Sequence, residues 1–464
     1  MNGLEVALSA AFSRGYRAWM LTVLMLVNAL QLADRQGLAA SAQAIKVDLK
    51  FTDSEMGMLL GLGFAIFYTL LGLPLARMAE HMGRTKIIAG SLAIFGVMAA
   101  LCASAQGFWR FLLFRIGVGV GDAGFGPPVA SLVGDHYPMQ KRASAMSIIW
   151  LGAPIGVVGG SYFGGWMAEH WSWRVAFAMI GTAGVSIALL AILTLREPTR
   201  GMSDPVRTFS ARPPSTWVVL KFLLAKRSMV HVLIGCGLAA VPMNAIGQFL
   251  GPFLVRTFHV GYAEQGRLLS VIAFAGMSAG LLLGGFGVDW AARFDKRWYV
   301  WGPAITLALS APLFVLGFNQ PALAGTVAVL MAAHVVLFPY FTATLAIAQN
   351  MVTANMRASS AFAVALVIGL VGIGLGPTLM GFLSDAFATR AFSSGDYRAM
   401  CPGGAPMADT AQLIVDACAH ASATGIRYAL VAMSLLLIWA GIHYFLAARS
   451  FKRDLETQFV PVRS

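Results

Sequence analysis

"REPTRGMSDPVRTFSARPPSTWVVLKFLLAKR" (196–227) is the longest polar stretch between the apolar runs of this sequence. It is rich in Pro, Ser and Arg, which is typical of a linker rather than of a membrane span. Runs of about 20 apolar residues, each long enough to cross a hydrocarbon core of about 30 Å, lie on both sides of it. Six runs precede the linker and six follow it. The linker therefore divides the protein into two bundles with equal numbers of helices.

The twelve apolar runs predict an all-α integral membrane protein built from two pseudo-symmetric six-helix bundles. In chain order the predicted spans are 17–42, 56–79, 86–106, 109–134, 143–168, 174–195, 229–256, 264–290, 298–318, 322–349, 358–386 and 426–448. The predicted domains are an N-terminal bundle (1–196), a cytoplasmic linker (197–228), a C-terminal bundle (229–448) and a cytoplasmic tail (449–464).

Composition supports this fold class. The 464 residues are 58% hydrophobic and 11% charged, and the mean hydropathy is +0.73, far outside the range of soluble domains. The net charge of +13 would suggest nucleic acid in a soluble protein. Here most Lys and Arg residues fall in the segments that are cytoplasmic when both termini are cytoplasmic. We therefore expect a multi-pass membrane protein with both termini cytoplasmic and no nucleic-acid partner.

The two halves repeat short charged segments in the same order. "ARMAEHMGRTK" (76–86) follows the second span and "GGFGVDWAARFDKR" (284–297) the eighth; each has an acid four residues before an arginine. "KRASAM" (141–146) follows the fourth span and "MRASSAF" (356–362) the tenth. We predict that their charged residues form gating contacts: Glu80, Arg84, Arg142, Asp289, Arg293 and Arg357. A parallel duplication predicts a binding site near the bilayer midplane, around which the halves rock.

Four charged residues lie inside predicted spans of the first half. Asp34 and Arg35 are adjacent in the first span, and neighbouring helical residues point about 100° apart, so they pair poorly with each other. Arg115 and Asp122 are seven residues apart on one face of the fourth span, with Arg115 at nearly the same depth as Asp34 and Asp122 deeper. Charges within a membrane span are costly and are functional by default. We predict that the four residues form one group.

Two interpretations of this group follow from its chemistry. An apolar environment raises the pKa of a carboxyl group and a nearby arginine lowers it, so opening the site to either side changes its proton affinity. A group of this kind couples proton flow to the movement of a substrate. The alternative is a static buried ion network that fixes helix orientation.

The interior of the second half carries polar groups but no acid at comparable depth. Asn244 and Gln248 share one face of the seventh span, and His334 lies in the tenth. We predict a substrate site formed by Arg35, Arg115, Asn244, Gln248 and His334. For His334 the alternative is a packing residue whose ring nitrogen is satisfied locally.

The four cysteines separate into two groups. Cys401 and Cys418 fall between the last two spans, on the predicted periplasmic side, where they are either a disulfide or two free thiols. Cys102 and Cys236 lie in apolar spans and are predicted to be packing residues. We expect neither a metal site nor a cofactor, because no Cys or His cluster has metal-ligand spacing.

The chain resembles the major facilitator superfamily over essentially its whole length. The resemblance rests on the twelve spans, the basic central loop and the acid-and-arginine motif after the second span. The motif Gly-x-Leu-Ala-Asp-Arg-x-Gly-Arg appears here with Ala76, Glu80 and His81 at the Gly, Asp and Arg positions. "LADR" (32–35), "RIGVGVGDAGFGPPVASLVGDHYP" (115–138), "RASAMSI", "WSWRVAF" and "LREPTRG" are most similar to spinster-type transporters and their bacterial relatives.

This resemblance implies a proton-coupled secondary transporter that uses alternating access. Nothing in the sequence requires a stable oligomer, so we expect a monomer. It implies that Asp34 is the proton site, that Arg35 modulates it, and that Asp122 stands where spinster-like sequences commonly have Glu. The implied substrate is an amphipathic anionic lipid such as a lysophospholipid or a sphingoid phosphate. Symporters of sugar acids share a similar Asp-Arg in the first span, so a small organic anion is the alternative substrate.

Two other function classes are less consistent with the sequence. A membrane-embedded enzyme needs a nucleophile with a base or a set of metal ligands, and "GDHYP", with Asp135 and His136, is the nearest approach. A channel does not need a duplicated, glycine-rich rocking architecture. The glycines of "GAPIGVVGG" (152–160) resemble a motif of superfamily exporters, with close helix packing as the alternative.

Overall fold

The computed structural model describes residues 12–137, 139–198, 216–352, 356–405 and 411–456. Every regular element in these residues is helical. Twelve helices are long and apolar enough to span a membrane, which confirms the predicted fold class. They are α1 Arg14–Leu49, α2 Asp53–Gly72, α3 Arg84–Cys102, α4 Phe108–His136, α5 Ala145–His170, α6 Trp173–Thr194, α7 Arg227–Phe258, α8 Tyr262–Ala292, α9 Trp298–Phe318, α10 Leu323–Asn350, α11 Ser359–Ala391 and α12 Gln412–Glu456.

Several helices extend beyond the apolar runs that predict them. Helix α1 ends at Leu49 rather than at residue 42, and α12 has 45 residues where 426–448 is predicted. At 1.5 Å per residue α12 is about 68 Å long, more than twice the hydrocarbon thickness. Hydropathy detects only the part of a helix that contacts hydrocarbon. The polar linker also contains a helix of its own, Thr216–Ala225.

Six of the spanning helices are interrupted in the described residues, α5 at Leu151 and α10 at Phe338 among them. Gly61 has non-helical dihedral angles (φ −115°, ψ −97°) and separates the first two turns of α2 from Leu62–Met82, which continues beyond Gly72. Helix α4 breaks between Ala123 and Gly126. Helices α8 and α11 each contain a π-helical turn, at Leu283–Gly287 and Ile368–Leu375. Such turns occur mainly at functional positions in helices.

The described chain separates into two compact units. Unit 1 contains 12–51, 58–198 and Gly261–Ser270, and unit 2 contains Thr52–Gly57, 216–260 and 271–456. The division follows the linker except at two short segments. The first turn of α2 therefore belongs to unit 2, and the first residues of α8 belong to unit 1.

A ridge of glycines on α5 brings this helix against α1 in unit 1. A Cβ added to Gly156 would lie 2.9 Å from Leu32 Cβ, and one added to Gly164 would lie 2.7 Å from Gly37 Cα. The glycines of this ridge recur every four residues and are Gly152, Gly156, Gly160 and Gly164. Backbones can approach this closely only where side chains are missing. The role of this motif in the structure is therefore close packing of the helix that carries Asp34 and Arg35.

In unit 2 the start of α7 is fastened to the end of α12. The Ser228 amide and hydroxyl donate to the Asp454 carboxylate at 2.9 and 2.8 Å. Lys226 Nζ donates to the Asp454 carbonyl at 2.8 Å and to the Met351 carbonyl at 2.9 Å. Asp454 thus caps the α7 N-terminus, where backbone amides lack helical partners.

The glycine ridge predicts a large difference between two neighbouring substitutions. Gly156→Ala places a methyl group too close to the backbone of α1 and should destabilise the protein by about 1–3 kcal/mol. Gly159→Ala is the matched control, because a Cβ there meets no described atom within 4 Å; it should be neutral or stabilising by up to about 1 kcal/mol. Thermal unfolding in detergent measures both, and equal midpoints for the two variants would contradict the packing role.

Candidate functional site

The structure brings the four predicted charges of α1 and α4 together in two crossed ion pairs. Arg115 Nη1 donates to Asp34 Oδ2 at 2.7 Å. Arg35 Nη2 donates to Asp122 Oδ2. Neither α1 charge pairs with its sequence neighbour. We call these four residues the central ion group.

The pairing follows from helical geometry. Asp34 and Arg35 diverge by about 100° around α1, so each faces a different part of α4. Arg115 and Asp122 stand almost two turns apart on one face of α4, at two depths. The base on α4 therefore meets the acid on α1, and the acid on α4 meets the base.

Burial distinguishes the members of the central ion group. The side chains of Asp34, Arg115 and Asp122 are 0%, 2% and 4% exposed, whereas Arg35 is 20% exposed. An unpaired charge in such a position would cost several kcal/mol. Each buried charge therefore needs its ion-pair partner. Arg35 is the member that a bound molecule can reach.

Two aromatic rings of α2 lie against the Arg35 guanidinium. Arg35 Cζ is 4.2 Å from the centroid of Phe64 and 5.1 Å from that of Tyr68. Cation–π attraction of this kind holds a guanidinium in place while leaving part of it accessible. The sequence does not predict either ring, because nothing in an apolar span distinguishes an aromatic residue that contacts a charge from one that faces lipid.

Several atoms of the central ion group have no hydrogen-bond partner among the described residues. They include Asp34 Oδ1 and the Nε atoms of Arg35 and Arg115. Asp34 therefore uses one carboxylate oxygen for Arg115 and keeps the other unengaged in a fully buried position.

The polar residues predicted in α7 lie in unit 2. Asn244 Nδ2 donates to the Ala240 carbonyl of its own helix at 2.9 Å. Gln248 Oε1 is buried and has no hydrogen-bond partner among the described residues. These amides are the second half's contribution to the predicted substrate site.

His334 differs from the prediction of a substrate-binding residue. Its Nδ1 donates to the Leu330 carbonyl at 2.7 Å, and its ring lies 5.1 Å from that of Phe314. A Cβ on Gly276 of α8 would lie 3.5 Å from His334 Cγ, so the imidazole is packed on this side as well. These contacts are those of a packing residue, which was the alternative interpretation.

Arg84, at the start of α3, is the centre of a second ion cluster in unit 1. Arg84 Nε donates to Glu197 Oε1 at 2.7 Å, and Nη1 donates to Asp135 and to the Ser131 carbonyl. The Thr85 amide donates to the other Glu197 oxygen at 2.9 Å. We call Arg84, Asp135 and Glu197 the Arg84 cluster.

The Arg84 cluster shows which acids engage one of the predicted gating residues. Arg84 is bound by acids from α4 and from the segment after α6. The helix that carries Glu80 ends at Met82, and α3 begins at Arg84 after Gly83, whose φ is +90°. The side chains of Glu80, Arg142 and Arg357 lie outside the described part of the chain.

In the corresponding segment of the second half, the acid binds a hydroxyl group. Asp289 accepts a hydrogen bond from the Tyr299 hydroxyl at 2.9 Å, and the described residues show no ion pair between Asp289 and Arg293. Both side chains are exposed. Exposed pairs on a helix gain little free energy, so the hydroxyl competes successfully for the carboxylate.

His136 and Asp135, which suggested an enzyme, have structural partners. His136 Nδ1 donates to the Leu132 carbonyl at 2.9 Å, and its ring centroid lies 4.4 Å from that of Phe12 with the two rings tilted. Asp135 binds Arg84. The pair therefore lacks the nucleophile–base geometry of a catalytic site.

Residues 24–377 match the family profile of the Major Facilitator Superfamily. The chain belongs to this superfamily. It is 29% identical over 371 residues to an MFS-type efflux pump of Mycolicibacterium smegmatis (strain ATCC 700084 / mc(2)155), covering 80% of this chain and 85% of that protein. It is 24% identical over 383 residues to the hexuronate transporter of Bacillus subtilis (strain 168), covering 79% and 87%.

A solved structure of a bacterial homologue of the human lysosomal transporter spinster, in an inward-facing and unoccupied conformation, is similar throughout. The TM-score is 0.88 at 29% sequence identity, and the match covers 97% of this chain and 100% of that one. The spinster resemblance is thus confirmed. The protein is a multi-pass membrane transporter of the superfamily and not an enzyme.

Unit 2 of this superfamily member contains a third ion cluster, which the sequence does not predict. Arg256 binds Asp53 through two parallel hydrogen bonds of 2.7 Å, and Ser384 Oγ donates to Asp53 at 2.6 Å. The Asp385 carboxylate accepts from the amides of Asp53 and Ser54 at 3.0 and 2.8 Å. We call these five residues the Asp53 cluster.

One signal in the sequence marks the helix start at this cluster. In "FTDSE" (51–55) Thr52 and Glu55 form a capping box, with the Glu55 amide donating to Thr52 Oγ1 at 3.1 Å and the Thr52 amide to Glu55 at 2.8 Å. This pattern predicts where α2 begins. It does not predict Arg256 or Asp385, which lie more than 200 residues away in the sequence.

Of the two alternatives for the outer cysteines, the structure shows the disulfide. Cys401 and Cys418 are bonded, with a Cα–Cα distance of 5.6 Å. Cys418 lies in α12 and not in a loop, because this helix starts at Gln412. Cys102 and Cys236 are free and buried, as predicted for packing residues.

The Arg84 cluster yields a pH prediction for this transporter. Burial alone would raise the pKa of Glu197, but hydrogen bonds from the Thr85 amide and Arg84 hold that pKa below its ordinary value. The stabilisation is present above the unfolded pKa of about 4.3 and is lost as pH falls through the lower folded value. Glu197→Gln should therefore lower the unfolding midpoint at pH 5–8 and lose this effect in acid.

The matched control is Glu264→Gln, which removes an exposed acid of α8 whose carboxylate lies 3.7 Å from Arg267. We expect this control to leave the midpoint unchanged. A Glu197→Gln deficit that grew below pH 5 would contradict the sign of the shift.

Proposed function

We propose that this transporter is a proton-coupled secondary active transporter that works by alternating access, with the central ion group as its coupling site. The observation that supports the proposal is the pair of buried, crossed ion pairs between α1 and α4. Four charges that depend on one another for compensation respond together when one of them is neutralised. In a network with a purely structural role we would expect both carboxylate oxygens of Asp34, its most buried residue, to be hydrogen-bonded, but Asp34 Oδ1 has no described partner.

We assign the proton to Asp34. Its side chain is fully buried, it binds Arg115 through one oxygen only, and the other oxygen is unengaged. Protonation removes the charge that compensates Arg115, and a buried arginine without a counter-ion is strongly unfavourable. The arginine is then available to a substrate anion or to Asp122.

We propose an amphipathic anionic lipid, such as a lysophospholipid or a sphingoid phosphate, as the substrate. Arg35 presents a partly exposed guanidinium on an aromatic surface of Phe64 and Tyr68. A guanidinium binds a phosphate in bidentate geometry, and apolar rings beside it suit the adjoining hydrocarbon. The polar groups assigned to the second half are two amides, Asn244 and Gln248, which would provide few hydrogen bonds for a polyhydroxylated molecule.

The second candidate is a small organic anion such as a sugar acid. The similarity to a hexuronate transporter favours it. In that function Asn244 and Gln248 would bind substrate hydroxyls and Arg35 the carboxylate. We further propose that the protein works as a monomer in a bacterial inner membrane with both termini cytoplasmic, which agrees with the positions of its basic residues.

The proton role of Asp34 predicts a specific transport defect. Asp34→Asn removes the titrating group, so uptake or release in proteoliposomes should become independent of an imposed pH gradient and fall by at least about tenfold. Asp48→Asn is the matched control: Asp48 lies on the same helix and binds Arg174, but it is nearly half exposed. The control should retain gradient dependence.

Unfolding midpoints of both variants separate loss of coupling from loss of fold. If a folded Asp34→Asn protein still responds to the pH gradient like wild type, the assignment of Asp34 is wrong. Gradient-independent flux in wild type would reject proton coupling altogether.

The substrate proposal predicts selective stabilisation of the purified protein. Lysophospholipids and sphingoid phosphates should raise the thermal midpoint, and Arg35→Ala should weaken this effect by roughly tenfold or more in ligand concentration, as expected for a lost charged hydrogen bond. Arg174→Ala is the matched control, because Arg174 also lies over an aromatic ring, 4.2 Å from Trp173, and also binds an aspartate. Stabilisation by sugar acids alone would establish the second candidate instead.

A further inference from the structure

The polar linker contains a short helix, Thr216–Ala225, which we call the linker helix. Its ten residues are about 15 Å long at 1.5 Å per residue, half the thickness of the hydrocarbon core, so it cannot cross the membrane. Its sequence, "TWVVLKFLLA", is nevertheless apolar at every position except Thr216 and Lys221. A helix with apolar residues on all sides needs an apolar environment on all sides.

The linker helix lies where α7 begins and α10 ends. Lys226, directly after it, has an extended backbone (φ −88°, ψ 116°), so the chain turns there before α7 starts at Arg227. Lys226 Nζ donates to the carbonyl of Met351, the residue after α10, at 2.9 Å. It also donates to the carbonyl of Asp454, near the end of α12, at 2.8 Å. Because α7, α10 and α12 span the membrane, their ends mark the level of its surface, and the linker helix is held at that level.

One face of the linker helix is packed into unit 2, to which the helix belongs. Val219 and Leu223, one turn apart on this face, are both 0% exposed. The Phe222 ring lies beside them, with its centroid 4.6 Å from Lys226 Nζ. These contacts fix the rotation of the helix about its axis. The opposite face therefore points away from unit 2.

The face that points away from unit 2 is also apolar. Trp217 and Leu224 are 62% and 48% exposed, and Val218 is 41% exposed. At 100° per residue, these three side chains and the exposed Lys221 and Ala225 lie within an arc of about 120°. Lys221 is the only charged residue in this arc, and its Nζ lies 5.6 Å from the centroid of Trp217. A helix that faces water carries polar residues on its outer face, whereas this arrangement is that of a helix lying on a membrane.

We propose that the linker helix is a membrane-surface anchor: the face with Trp217 and Leu224 lies among the lipid headgroups of the adjoining leaflet, and Lys221 binds the phosphate of an anionic phospholipid. An indole ring suits this region because one edge is polar and the rest apolar. A lysine can lay its aliphatic stem along apolar surface while its ammonium group reaches the headgroups. Arg227, exposed at the start of α7, adds a second base at the same level. This inference concerns unit 2 alone and does not depend on the proposed transport function.

A spin label attached to Leu224→Cys in the full-length protein tests the position of this face. Collisions of the label with oxygen, which dissolves in hydrocarbon, are compared with collisions with a water-soluble nickel chelate. The vesicles contain phosphatidylcholine and phosphatidylglycerol. Cys102 and Cys236 are buried, and Cys401 and Cys418 are bonded to each other, so wild type treated in the same way measures the background labelling.

Two other labelled positions provide the matched controls. Leu309→Cys, at a position 55% exposed in the middle of α9, reports hydrocarbon. Ser394→Cys, at an exposed position of the loop between α11 and α12, reports water. The ratio of oxygen to nickel collisions at Leu224 should be closer to the ratio at Leu309 than to that at Ser394. A ratio like that at Ser394 would overturn the proposal, as would protection from both reagents, which would show that protein covers this face.

Amide hydrogen exchange of the linker helix tests the role of Lys221. Phosphatidylglycerol added to the detergent-solubilised protein should slow this exchange, because a bound lipid opposes local opening. Lys221→Gln should raise the phosphatidylglycerol concentration for half-maximal protection by about fivefold, the effect of one lysine near an anionic surface. Lys221→Arg should restore the wild-type response. Lys296→Gln, which removes an exposed lysine between α8 and α9, is the matched control and should have no effect.

Two results of the exchange experiment would contradict the lipid contact of Lys221. One is equal protection by phosphatidylcholine and phosphatidylglycerol, since only the second lipid carries a net negative charge. The other is an unchanged response in Lys221→Gln. Thermal midpoints equal to that of wild type establish that the variants are folded.

Discussion

A charge within a hydrocarbon layer must have a partner, and most of the structure of unit 1 follows from this constraint. Asp34 and Arg35 on α1 can be compensated only by α4, because their own geometry keeps them apart. The two helices must therefore be held in register. The glycine ridge of α5 fixes α1 from one side, and Gly119 of α4, whose Cβ would lie 2.7 Å from the Phe64 carbonyl, fixes α4 against α2. The glycines thus allow the helix backbones to approach closely, which keeps the paired charges within reach of each other.

The acids at the helix ends accept hydrogen bonds from backbone amides, which the acids of the central ion group do not. Glu197, Asp385 and Asp454 each accept hydrogen bonds from backbone amides at the start of a helix, in addition to contacts with a basic residue or a hydroxyl. Those amides are fixed by the helix, so these contacts do not depend on a side chain that can move. Asp34 and Asp122, among the described residues, bind only arginine side chains. Their counter-ions can move, which is the property that the proposed coupling site requires.

How far the sequence predicts this structure depends on how far apart in the sequence the interacting residues lie. The twelve helices follow from runs of apolar residues, and the central ion group follows from helical spacing and depth. The partners of Arg84 do not, because Asp135 and Glu197 are more than 50 residues away and look like ordinary residues near span ends. The Asp53 cluster was missed for the same reason. An acid at the end of a span is expected to be solvated, and only the packed structure shows that it is buried.

The charge of the central ion group bears on the proposed mechanism. With both acids ionised, its two negative and two positive charges sum to zero, the least costly state in a low-dielectric interior. Binding a proton to Asp34 leaves one uncompensated positive charge, and binding an anion beside Arg35 leaves one uncompensated negative charge. Binding both restores neutrality. In the proposed mechanism a proton and a singly charged anion therefore favour each other's binding, and by linkage the preference is equal in both directions. Such a group is better suited to moving the two ligands together than to exchanging one for the other.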